Sequence, residues 1–142
     1  MTQTWLVPID GSEIALHSIA WIIKHAADLR ELPKIHLINV QAALPSDIGR
    51  FIDADTLRDF HREAGMTALA AAREQLATAG LTPELHVLVG EAAPTITAFA
   101  TSHGCTEILI ATHGHSGLAG TLLGSVAMKL VHLSSVPVLL IR

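Results

Sequence analysis

The feature that most constrains this chain is the repeated change of its apolar period. Five short, largely apolar runs alternate with stretches whose apolar residues recur at helical spacing. The first run, Thr4 to Ile9, ends at Asp10-Gly11-Ser12, a turn signal, and reads as a buried strand. Ile35–Val40, Glu84–Val89, Glu107–Ala111 and Val136–Ile141 read the same way. Between the first two, Ala15, Ile19, Ile22, Ile23 and Ala26 share one helical face, with Ser12 as the expected cap and Glu13 favouring the first turn. Residues 41–53 contain Pro45 and Gly49 and read as a surface loop. A long alanine-rich helix is expected over 54–79, closed by Gly80. Gly65 argues against its continuity, because glycine costs about 1 kcal/mol inside a helix. Helices over 92–103 and 124–134 complete the pattern.

Strands alternating with helices imply a parallel sheet covered on both faces, and right-handed crossovers make it doubly wound. The alternation alone leaves the strand order open. In the order 3-2-1-4-5 the winding reverses between the first and fourth strands, and ligands of such sheets bind beyond the strands' carboxyl ends at that point. Those ends are Asp10 and Ala111-Thr112-His113-Gly114.

Composition narrows the function. The 142 residues suit one domain, and half of them are apolar. A net charge of −4 and the lack of a basic stripe argue against nucleic acid. Apolar stretches far shorter than about 20 residues argue against a membrane span, and the absence of an export signal leads us to expect a cytoplasmic protein. Cys105 cannot form an internal disulfide and reads as a small buried hydrophobe. The nine histidines are spread along the chain and read mostly as surface or edge residues.

The segment from Ala111 to Ser125 carries the chemistry. It is glycine-rich, leaves a strand and enters a helix. Glycines allow close backbone approach, and a helix N-terminus offers free N–H groups and a positive dipole end to phosphate. It contains neither a Walker A loop nor the Gly-x-Gly-x-x-Gly fingerprint. From these residues alone, phosphate binding and a bare strand-to-helix connection both stay open. His113 and His115 would suggest a metal pair, but no further ligands sit at diagnostic spacing, and no metal is expected. No nucleophile, base and orienting group fall together, so no catalytic residue is assigned.

Ile108-Leu-Ile-Ala-Thr-His-Gly-His-Ser-Gly117, Leu122-Leu-Gly-Ser-Val-Ala127 and Val136-Pro-Val-Leu-Leu-Ile141 together resemble the C-terminal signature of universal stress proteins. Val7-Pro-Ile-Asp-Gly-Ser12 resembles their first strand and turn, Leu37-Ile-Asn-Val40 their second strand, and Val87-Leu-Val-Gly90 their third. The resemblance implies a Rossmann-like α/β domain over residues 1–142, with five parallel strands in the order 3-2-1-4-5 and helices on both faces. It also implies a homodimer in which the last strands of two subunits meet.

Nucleotide-binding members of that family carry Gly-x2-Gly-x9-Gly-[Ser/Thr]. Here Gly114, Gly124 and Ser125 keep the pattern, and Ala111 replaces the first glycine. The resemblance implies that Asp10 and the backbone of Val40 face the adenosine end, with Pro8 and Ile9 lining the pocket. Ala111, Thr112, His113, Gly114, His115, Gly117, Gly124, Ser125 and Val126 complete the nucleotide-binding set that it implies. The loop has no lysine or arginine from Thr112 to Lys129's predecessor Met128, so backbone N–H groups, Ser125 and the loop histidines would hold phosphate. The expected ligand is ATP or AMP, with Mg2+ accompanying ATP, in a stress-response or regulatory module without turnover. The alternative is a member without nucleotide binding that acts by dimerisation and partner binding. Slow ATP hydrolysis is a third reading.

Overall fold

The computed structural model describes residues 2–112 and 123–142. In chain order the elements are β1 (Thr4–Pro8), α1 (Leu16–Ala26), β2 (Lys34–Gln41), α2 (Ser46–Gly49), α3 (Ala54–Thr78), β3 (Glu84–Val89), α4 (Ala92–Ser102), β4 (Glu107–Ala111), α5 (Ser125–Leu133) and β5 (Val138–Ile141). The strands form one parallel sheet in the order β3-β2-β1-β4-β5, as the resemblance implied. The winding therefore reverses between β1 and β4. None of the described helices is long and apolar enough to cross a membrane.

Both faces of the sheet are buried, which explains why its central strands are apolar almost throughout. Trp5, Val7, Ile35 and Leu37 pack under α1 and α3 with Ile19, Ile22, Leu69 and Leu76. Leu6, Ile38, Ile108 and Ile110 pack on the other face with Ile96 and Phe99 of α4 and Leu130 of α5. Fully burying one such Leu or Ile contributes about 1.5–3 kcal/mol.

Several local features differ from those expected. The 41–53 segment holds the short helix α2, which Pro45 can precede because its carbonyl accepts from the Ile48 and Gly49 N–H groups. Ser12 does not cap α1 directly. Its Oγ accepts from the Ala15 N–H at 3.2 Å, and i→i−3 bonds to Glu13, Ile14 and Ala15 lead into α1 at Leu16. β5 begins at Val138 rather than Val136, because the Ser134 hydroxyl holds Val136 in a local turn, donating to its carbonyl and accepting from its N–H.

α3 runs unbroken through Gly65. A β-carbon there would lie 2.5 Å from Val87 Cγ2 and 3.0 Å from Val87 Cβ, so glycine lets the helix lie flat on β3. Close packing, which the helix propensity of glycine does not register, keeps this position small. Two of the seven described histidines are exceptions to the expected surface or edge placement. His61 is buried, because with Gly65, Leu69, Ala72 and Leu76 it occupies the inward stripe of α3. His36 on β2 is buried as well. Cys105 is buried as expected, and burial pushes its thiol pKa up.

Candidate functional site

The carboxyl ends of β1, β2 and β4 open into a cavity of about 220 Å3. Its walls hold Pro8, Ile9 and Asp10 from the end of β1, Val40 from β2, Ala111 from β4, and Gly124, Ser125 and Val126 from the start of α5. These eight residues were singled out in the sequence, and the fold brings them together. Thr112 is not among the lining residues. It is buried, and its N–H donates to the Ile141 carbonyl at 2.7 Å, with its hydroxyl 3.4 Å from the same oxygen. It ties β4 to β5 beneath the site. His113, Gly114, His115 and Gly117 lie outside the described residues.

Local chemistry sets the turn after β1. One carboxylate oxygen of Asp10, Oδ1, accepts from the Ser12 N–H at 2.9 Å and from the Ser12 hydroxyl at 2.6 Å. This is an Asx-type turn, and it fixes the carboxylate's direction. Gly11 between them has φ +89°, a conformation that side-chain-bearing residues rarely adopt. Asp10 therefore does act as a turn cap. Its second oxygen, Oδ2, has no hydrogen-bond partner among the described residues.

The cavity also recruits residues that the motif did not indicate. Ile14 and Ala15 enter from the turn before α1, Ile38 and Asn39 from β2, and Ala92 and Ile96 from the first turns of α4. Asn39 could have been noticed as the one polar residue within Leu37-Ile-Asn-Val40. Its buried side chain donates to the Ile9 carbonyl at 2.8 Å and accepts from Gln41 Nε2 at 2.6 Å. The α4 residues carry no such signal, since only the crossover from β3 brings that helix over the sheet.

No lysine, arginine or histidine is among the lining residues described, and Asp10 is their only ionisable group. Among the described residues, positive potential comes from backbone dipoles. The N-termini of α4 and α5 both reach the cavity, and neither has a side-chain cap hydrogen bond among the described residues. Each helix start behaves as roughly +0.5 of a charge, favourable to an anion. Gly124, the N-cap of α5, has φ −58°, so its backbone shape does not demand glycine. Its value is the bare surface that it presents. The remaining walls, chiefly Ile9, Ile38, Val40, Ile96 and Val126, are apolar and suit a planar ring.

The chain matches the model of the Universal stress protein family over residues 1–142. It is 29% identical over 148 residues to the universal stress protein YxiE of Bacillus subtilis, with 100% of each chain covered. The structure of hypothetical protein MJ0577 superimposes with a TM-score of 0.79 at 22% identity, covering 99% of this chain and 96% of that one. A universal stress protein solved in complex with cAMP superimposes with a TM-score of 0.69 at 26% identity, covering 99% and 97%. With the family model matched over its whole length, this chain belongs to the universal stress protein family.

Proposed function

We propose that this chain binds an adenine mononucleotide of the AMP class in the cavity between β1 and β4. The observation that carries the reading is the composition of that cavity. Apolar walls stand at one side, the α5 N-terminus with Gly124 and Ser125 stands at another, and no cationic side chain lies among the described lining residues. The family relative in complex with cAMP supports an adenine ring and a single phosphate as the class of ligand. The base would lie against Ile9, Val40 and Val126, and Asp10 Oδ2 would accept from a ribose hydroxyl. The phosphate would accept from the first N–H groups of α5 and from the Ser125 hydroxyl. Uncharged donors offset one phosphate better than three, so ATP would need Mg2+ to bind comparably.

Calorimetry with AMP, ATP, ATP with Mg2+, adenosine and GMP tests this. AMP should bind more tightly than adenosine, GMP or metal-free ATP. Mass spectrometry of ligand released from freshly purified protein should find an adenine nucleotide. If no adenine nucleotide gives a heat of binding, the reading is wrong.

A second reading rests on a separate observation. β5 is an edge strand, and Leu139 and Leu140 on it are 38% and 37% exposed. An exposed apolar edge carries unpaired N–H and C=O groups that a second strand can satisfy. We infer that two copies pair through β5, whether or not nucleotide is bound. Light scattering should give a dimer mass, and Leu140→Lys should shift it towards the monomer with an unchanged circular dichroism spectrum. A wild-type mass that stays monomeric at micromolar concentration excludes this assembly.

A further inference from the structure

At the opposite end of the sheet from the cavity, three side chains from β2 and β3 converge. His36 is the register partner of Glu84, and His86 follows Glu84 by two residues, so all three stand on the face covered by α4. His36 Nδ1 lies 2.9 Å from His86 Nε2 and 3.3 Å from Glu84 Oε2, and His86 Nε2 lies 3.9 Å from the same oxygen. We propose that His36, Glu84 and His86 form a binding site for a divalent transition-metal ion, with Zn2+ the best fit.

The distances suit the ion. Metal–ligand bonds of about 2.0–2.1 Å at tetrahedral angles separate the donor atoms by roughly 3.3 Å. The three separations straddle that value, so movements of a few tenths of an ångström admit a metal. Two imidazoles and a carboxylate are also the donor class that zinc and its neighbours prefer, and too few oxygens for calcium. A fourth position would fall to water, on the open side marked by the half-exposed Glu84.

The surroundings orient the donors. Lys34 Nζ lies 3.4 Å from Glu84 Oε1, the other oxygen, and so turns Oε2 towards the histidines. The Phe99 ring sits 4.5 Å from that of His86 and 5.6 Å, edge-on, from that of His36, which limits their rotation. Burial holds both histidines below their ordinary pKa, against the pull of Glu84, with the Lys34 ammonium reinforcing it. Neutral rings are the form a metal requires. In the metal-free chain one ring must donate its proton to the other across the 2.9 Å contact. Metal binding needs only that this donor shift its proton to its other ring nitrogen.

The site is separate from the nucleotide cavity. None of the three ligands lines the cavity; the nearest lining residue on β2 is Ile38, the register partner of His86, two residues from His36 and about 7 Å away at strand rise. The two proposals therefore fail independently.

The test uses the full chain, without a histidine tag and stripped with EDTA. Zn2+ is titrated by calorimetry and Co2+ by visible absorption. We expect one tight Zn2+ per chain and the intense visible bands of four-coordinate Co2+, both unchanged by saturating AMP. Glu84→Gln and His86→Gln should each weaken Zn2+ binding by about tenfold or more. Glu84 is half-exposed, so its variant should fold, and circular dichroism checks this. The double variants His17→Gln/His132→Gln and His113→Gln/His115→Gln should retain the site. A chain that takes up no Zn2+ tightly, or one whose tight site survives both Glu84→Gln and His86→Gln, overturns the proposal.

Discussion

The side-chain amide of Asn39 donates a 2.8 Å hydrogen bond to the carbonyl of Ile9, joining the ends of β2 and β1 where they floor the cavity. Both residues are buried, so the bond joins two strand ends with little exposure to water. Asn39→Ala leaves that carbonyl without its side-chain partner, and a buried group so stranded costs about 1–3 kcal/mol. Urea unfolding should show that loss. If the bond also sets the pocket floor, AMP affinity measured by calorimetry should fall in the folded variant.

Gly124 is the most direct probe of the proposed phosphate site. Its φ of −58° is open to other residues, so Gly124→Val tests the bare surface rather than the backbone conformation. The variant should fold with a thermal midpoint near that of the wild type. It should lose AMP binding by tenfold or more, roughly the 1.4 kcal/mol of one lost charge-assisted contact. Unchanged AMP affinity in calorimetry would place the phosphate elsewhere.

Gly65 tests the packing of α3 on β3. Alanine gains up to about 1 kcal/mol in helix propensity, but overpacking against stiff Val87 costs typically 1–3 kcal/mol. Gly65→Ala should therefore be net destabilising in urea. Adding Val87→Ala should restore part of that loss, because the second change makes room for the first. A double-mutant cycle showing simple additivity would contradict the packing account.

Asp53 supplies a pH signature away from both proposed sites. It is the N-cap of α3, and the Thr56 N–H donates to its Oδ1 at 2.7 Å. That backbone hydrogen bond, with the Thr56 hydroxyl adding to it, holds the carboxyl below its ordinary pKa. Below the ordinary value the unfolded chain takes up a proton that the folded chain resists, so stability falls with pH. The contribution is whole above about pH 4 and is lost as pH drops through the folded value. Asp53→Asn keeps a capping side chain that does not titrate. The wild type should lose its urea-midpoint advantage over this variant progressively as pH falls from about 4 to about 2. A constant difference across that range would exclude the titration.

What adjacent residues encode was legible at once. The change between helical spacing and short apolar runs marked the five strands, and Asp10-Gly11-Ser12 marked the turn at the end of β1. The glycine-rich segment and the family signature pointed to the switch point. The periodic signals each lie within one element, because helical and extended periodicity are properties of neighbouring residues. Tertiary structure decided the rest. Gly65 argued against a helix until the flatness of α3 on Val87 gave it a reason. Asn39 acquired a role only through the end of β1, thirty residues earlier. His36 and His86, fifty residues apart, stood as scattered histidines until the β2–β3 register set their rings side by side. Strand register depends on which segments the sheet brings together and on the helices that cover it, and that lateral placement is a property of the folded chain.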